Sequence, residues 1–185
     1  MKPLVMIRDS LEELPPLCPP AEYPIRTFRS GDEFHWERIV AASFETPRSF
    51  QAIMREDPGF MPERIFFVTF HGTPVATAAA WYHPLWGSHY GYLHFVAVTP
   101  DHRGRRLGHW VSLAALGRFL EEGRTMAVLE TEDFRIPAIK TYIRLVFRPR
   151  ITGETRAQWH ALAELHKLPV SLPEDAWLTD YRDQW

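Results

Sequence analysis

Residues 98 to 108 read Val-Thr-Pro-Asp-His-Arg-Gly-Arg-Arg-Leu-Gly, between an alternating apolar run and a long helical pattern. A strand ending in such a turn and passing into a helix is a place to hold phosphate. The first N–H groups of a helix have no internal partners, and the macrodipole makes that end positive. Gly104 and Gly108 let the backbone approach a ligand closely. Arg103, Arg105 and Arg106 stand where a cation costs roughly 0.3–1 kcal/mol each if it lies close. Three together make sense if a polyanion is expected. The competing reading sends them to solvent, or to Asp101, Glu121 or the tail. The strand before and the helix after are the context that favours the anion site.

Two further side chains have chemistry suited to moving a proton. His94 shares a strand face with Tyr92 and Val96 by the two-residue period. Histidine titrates near working pH and can take or relay a proton, though a partly buried structural histidine would fit the same pattern. Tyr142 lies on the apolar stripe of Ile139, Ile143 and Val146. A phenol is protonated at neutral pH, as an acid should be, but a core tyrosine with a satisfied hydroxyl fits there too. Trp81, Tyr82, His83, Trp86, His89 and Tyr90 flank an expected loop, and read as a satellite core rather than an acceptor pocket. The nine histidines show no zinc-ligand spacing. No Gly-x-Ser-x-Gly elbow or Cys/His pair argues for a covalent nucleophile.

The elements that must position these residues follow from periodicity and punctuation. Residues 4 to 8 suit a short strand. Five prolines between 15 and 24 make an extended connector. Residues 25 to 29 read as a strand, and Ser30 with Glu33 forms a capping-box pattern opening a helix. A second helical piece near 47 to 57 stops at Asp57-Pro58-Gly59. Ile65–Phe70 and Val75–Tyr82, joined by His71-Gly72, predict a hairpin, and Tyr92–Val98 a third strand of the same block. Arg106–Glu122 is the clearest helix, with Gly123 at its αL cap. Thr125–Leu129 is a strand, Pro137 begins another helix, Phe147–Ile151 suits a last strand, and 155–165 a tail helix. A βαβ unit placed after a meander implies a mixed sheet with helices on its faces.

The chain has 185 residues, 45% apolar and 24% charged, with formal net charge −2. That is ample for one core and argues against nucleic acid or anionic lipid as the main partner. One cysteine, Cys18, excludes an internal disulfide and fits a reducing compartment. No apolar run approaches the ~18 residues of a membrane span, so a soluble, cytoplasmic protein is expected.

The turn at Arg103-Gly104-Arg105-Arg106-Leu107-Gly108, preceded by Val96-Ala97-Val98-Thr99-Pro100, resembles the pyrophosphate motif of the GNAT acetyltransferases. Arg135, Ala138, Thr141, Tyr142, Val146 and Phe147 echo a later pattern of that family. Three departures stand out. Arg106 replaces a glycine and is expected to be ordinarily helical. Arg135 replaces an asparagine. Val146 replaces a glycine, so the helix is expected to end by a geometry other than positive φ.

The resemblance implies an α/β fold of α+β type: a mixed, mostly antiparallel sheet with helices on both faces and a V-shaped splay between strands 92–98 and 125–131. The expected division is an N-terminal extension with its connector (1–24), the acetyltransferase domain (25–151), and a C-terminal extension packing on it (152–185). Acetyl-CoA would lie in the splay, along the backbone of Val96, Ala97 and Val98. Its pyrophosphate would meet residues 103 to 108, with Arg135 a further contact or none. Tyr142 would protonate the departing thiolate. His94, or Glu130 on the neighbouring strand acting through water, would take the proton of an amine acceptor. Homodimerisation is a family-level expectation. Two alternatives remain: a non-catalytic acyl-CoA-binding or regulatory module, and a phosphate-binding domain that grips nucleotide or RNA.

Overall fold

The computed structural model describes residues 3–44 and 46–172; Trp177 and Trp185 of the tail lie outside the described residues. Seven strands form one sheet in the order β2-β3-β4-β5-β6-β1-β7. They are β1 (Leu4–Arg8), β2 (Ile25–Thr27), β3 (Ile65–Phe70), β4 (Thr73–Trp81), β5 (Tyr90–Val98), β6 (Met126–Thr131) and β7 (Arg148–Pro149). All neighbours pair antiparallel except β5 and β6. The α-helices among the described residues are α1 (Glu33–Phe44), α2 (Leu107–Glu121), α3 (Ile136–Arg144) and α4 (Arg156–His166). No helix among the described residues is long and apolar enough to cross a membrane.

The sheet is buried on both faces, as its β-branched and aromatic strands require. One core lies under α2, α3 and α4 and contains Leu107, Val111, Leu116, Phe119, Ile139, Tyr142 and Trp159. The other lies under α1 and contains Trp36, Ile39, Val40, Phe50 and Met54. Residues 3 to 24 are built into this body: β1 sits between β6 and β7, and Leu11 and Tyr23 are buried in the first core.

Local chemistry explains most boundaries. His71 and Gly72 both have positive φ, 48° and 83°, as a two-residue hairpin turn demands. Gly123, at φ 75°, closes α2, and Arg124 N–H reaches back to Phe119 O. The start of α1 differs from the expected Ser30. The helix begins at Glu33, and buried Asp32 anchors its start, its carboxylate forked to Arg26 at 2.6 and 2.8 Å and accepting Arg29 N–H at 2.7 Å. A bidentate arginine outweighs a serine here because it also satisfies a buried charge.

Candidate active site

β5 and β6 are paired only at Tyr90–Met126, Gly91–Ala127 and Tyr92–Val128, yet β5 runs on to Val98 and β6 to Thr131. Beyond Tyr92 the two strands part, and the β6-facing edge of β5 has no strand partner among the described residues. The same stretch is kinked. Thr77 opposes Ala97 and Ala79 opposes His94, so Ala78 alone faces Phe95 and Val96. Phe95 takes φ 47° at this β-bulge. Its ring is held in the second core, 4.9 Å from Trp36 and 5.9 Å from Phe44, which outweighs the cost of a left-handed non-glycine residue.

The bulge corrects the expected strand face. Tyr92 packs in the core under α1, as do Phe95 and Ala97, whereas Val96 and Val98 pack on the α2 side. Tyr92 and His94 therefore keep one side, their rings 5.0 Å apart, while Val96 is turned to the other. An extra residue shifts the two-residue period by one, turning every later side chain over.

β5 leads into the arginine–glycine turn. Gly104 stands at φ 78° and Arg106 at φ 60°. Arg106 is thus left-handed, not ordinarily helical as expected. His109 N–H and Trp110 N–H both turn back to Arg106 O, so α2 starts from this residue's carbonyl. Among the described residues the amides of 104 to 108 find no backbone acceptor, and no side chain caps the helix. Neither Arg105 nor Arg106 makes an ion pair with a described residue, and Glu121 is taken by Arg118. At Gly108 an added Cβ would meet only Val98 and Val96 methyls at 3.8 and 3.9 Å, an ordinary contact. Packing does not demand a glycine there; a ligand lying against the backbone would. The turn therefore fits a diphosphate: donors unpaired, charges uncompensated, backbone bare.

Near the opening of the splay, the Tyr92 hydroxyl meets the Glu130 carboxylate. Burial first, then the charge of Glu130 and the hydrogen bond to it, raise the Tyr92 phenol well above its ordinary range. The Tyr142 phenol lies near enough to add to that effect. Tyr142 is buried at 6% exposure, and burial holds it protonated far into the alkaline range. His94 is half-buried, its ring 5.0 Å from Tyr92 and 3.8 Å from Phe95. Burial, then the charge of Arg48, lower its pKa to about 4. It is neutral at pH 7 but a weak proton acceptor. Glu130, by contrast, is exposed.

The C-terminal end of α1 lies close to the open half of β5. Ser43 Oγ donates to Val98 O at 3.3 Å, Arg103 donates to Ala42 O at 3.0 Å, and Arg135 donates to Ser43 O at 2.8 Å. Cations suit this negative helix end. Arg135 is also paired with Glu132 and stacked over Phe44, so its guanidinium joins α3 to α1. Val146, the third departure, stands at φ 62° with Phe147 N–H bonded to Tyr142 O at 3.0 Å. The helix ends left-handed after all, despite the β-branched side chain; the tertiary position of Phe147 in the first core overrides local preference. Of the loop aromatics, Trp86 and Tyr90 pack on the second core, and His83 lies 5.7 Å from Tyr92. Sequence reasoning missed Arg48, whose signal was only an arginine after a proline, and Phe95, whose bulge leaves no mark in composition.

Compared with known proteins, residues 9–147 match the model of the acetyltransferase (GNAT) family. The chain is 31% identical over 140 residues to mycothiol acetyltransferase of Thermobifida fusca (strain YX), covering 66% of this chain and 43% of that protein. It is 30% identical over 156 residues to mycothiol acetyltransferase of Rhodococcus jostii (strain RHA1), covering 73% and 48%. The chain thus spans less than half the length of these curated relatives. In fold it is similar to a GCN5-related N-acetyltransferase from Sphaerobacter thermophilus, with TM-score 0.63 and 23% identity over 80% of this chain and 48% of that one.

Proposed function

The chain belongs to the acetyltransferase (GNAT) family, and we propose that it moves an acetyl group from acetyl-CoA to an amine by direct attack. The observation that carries this is the parting of β5 from β6 after Tyr92, directly before a turn with unpaired amides and arginines. The edge of β5 at Val96, Ala97 and Val98 that β6 leaves uncovered offers backbone groups to the amides of a pantetheine arm, as an edge strand offers them to a peptide, apart from Val98 O, which accepts from Ser43 Oγ. Residues 103 to 108 hold the pyrophosphate. The guanidinium of Arg135, already paired with Glu132, keeps α1 against α3 beside the arm.

In the transfer, the neutral amine forms a C–N bond to the thioester carbonyl as the C–S bond breaks. Tyr142, protonated at all working pH values, gives its proton to the departing thiolate. Glu130, exposed and hydrogen-bonded by Tyr92, takes the ammonium proton through water. His94 is the weaker choice for that role because burial and Arg48 depress its basicity. In this reading, backbone N–H groups on the edge of β5 that β6 leaves uncovered stabilise the developing oxyanion. The test is release of free CoA thiol from acetyl-CoA across a library of amines, mycothiol-type acceptors included because the relatives carry that name. Turnover that disappears in Tyr142→Phe supports the proposal. Tight acetyl-CoA binding with no acceptor-dependent thiol release across the library would replace it with a binding module.

A further inference from the structure

Phe34, Glu37, Arg38 and Ala41 occupy one face of α1 by their three- and four-residue spacing, and with Pro47, Arg48 and Ser49 they line a solvent-open depression of about 530 Å³. That volume suits a small-molecule ligand and exceeds what an acetyl group needs. No residue of the 99–108 turn or of α3 lines it, so it is not the pyrophosphate site itself. Two of its charged groups are already engaged. Glu37 accepts Phe50 N–H at 2.8 Å, and Arg38 donates to Pro74 O at 2.9 Å.

Arg48 is different. Its guanidinium lies 5.5 Å from the centre of the Phe44 ring and 5.7 Å from that of Phe95, the residue at the bulge of β5. Its Nε is buried with no hydrogen-bond acceptor. No carboxylate of a described residue pairs with it, although Arg26, Arg55, Arg64, Arg118, Arg124, Arg135 and Arg148 all have such partners. A buried guanidinium nitrogen without an acceptor costs free energy that a ligand carboxylate would recover, and the planar fork suits a carboxylate best.

We propose that Arg48 binds a carboxylate of the acceptor, so the amine acylated by this chain also carries an acid group, as an amino acid does. The depression's net charge, two arginines against one glutamate, agrees with an acidic or zwitterionic acceptor and not with a polyamine. Phe95, over which the Arg48 guanidinium lies, belongs to the segment of β5 that β6 has left, so an acid held by Arg48 would stand beside the strand along which the thioester is proposed to run.

Because this inference rests on the acyl-transfer reading, acetyl-CoA affinity is measured first, by calorimetry. The CoA-saturated protein is then titrated with each of the common amino acids and its primary amide, and kcat/KM with acetyl-CoA is measured for the pairs that bind. At least one amino acid is expected to exceed its amide by about tenfold to a hundredfold, the range of a charge-assisted hydrogen bond. Arg48→Ala should erase that preference while leaving acetyl-CoA affinity unchanged, and Arg48→Lys should keep part of it. Should Arg48→Ala fail to fold, Arg48→Gln keeps a stem over the two rings and serves instead. Equal binding of acid and amide, binding of neither in any pair, or a preference that survives loss of Arg48 overturns the proposal. So does a preference for succinyl-CoA over acetyl-CoA that Arg48→Ala removes, since the carboxylate would then belong to the acyl group. Absence of CoA binding overturns the acyl-transfer reading itself and this inference with it.

Discussion

Between Tyr90 and Tyr92, β5 is paired to β6, and Gly91 lies directly beneath the Phe119 ring. Between Leu93 and Val98 the same strand is paired to β4 alone, bulges at Phe95 and runs into a turn of unpaired amides. The first segment is a packing problem with one solution. The second leaves backbone polar groups exposed to whatever enters the splay, and the arginines and phenols around it have charges and protons to spare. One strand thus serves as scaffold over its first part and as binding edge over the rest, and substitutions should divide accordingly into losses of stability and losses of activity.

The largest effect is expected on the open side. Tyr142→Phe should lower kcat by about 10²–10⁴, the usual contribution of a general acid, with acetyl-CoA affinity and melting temperature nearly unchanged. A large loss of stability instead would make Tyr142 a core residue and blur the division. On the closed side, Gly91→Ala would put a methyl group 2.2–2.4 Å from three Phe119 ring atoms. Overpacking of this kind should cost about 3 kcal/mol, read as a melting point lower by roughly 10 °C.

The third prediction concerns pH. His94 has a folded pKa of about 4 against an ordinary 6.5. The unfolded chain binds more protons than the folded one between those values, so stability rises with pH across that window and is lost as pH falls from 6.5 to 4. The change attributable to His94 is on the order of 3 kcal/mol, and His94→Gln should flatten the denaturation free energy over that range. A smaller effect belongs to the turn: Arg105→Ala should weaken acetyl-CoA binding about three- to tenfold, and less at high salt, without lowering stability. Smallest is Val146→Gly. Val146 is 69% exposed and left-handed at φ 62°, so glycine should stabilise the fold by about 1 kcal/mol.

These residues also show what the sequence could and could not reveal. The hairpin at His71-Gly72 and α2 with its Gly123 cap were legible because glycine placement and periodicity act locally, whereas the splay between β5 and β6 was expected only from the resemblance of the 96–108 segment to the family motif. The left-handed Arg106 and Val146 were not legible, since their conformations are imposed by how α2 and α3 dock, against the local preference of each residue. The bulge at Phe95 was hidden for the same reason: an aromatic ring held by Trp36 and Phe44 decides it, and both are distant in sequence. Within the candidate site, the turn could be read from residue types, whereas the engagement of Arg135 with α1 and the unsatisfied Arg48 exist only once α1 is folded over β5.

The most direct measurement is calorimetric titration of the protein with acetyl-CoA at low and high salt, beside Arg105→Ala. Micromolar binding that weakens with salt, and weakens again on loss of Arg105, is the predicted result. No heat of binding at millimolar acetyl-CoA would contradict the assignment of the β5–β6 opening and the 103–108 turn to coenzyme A.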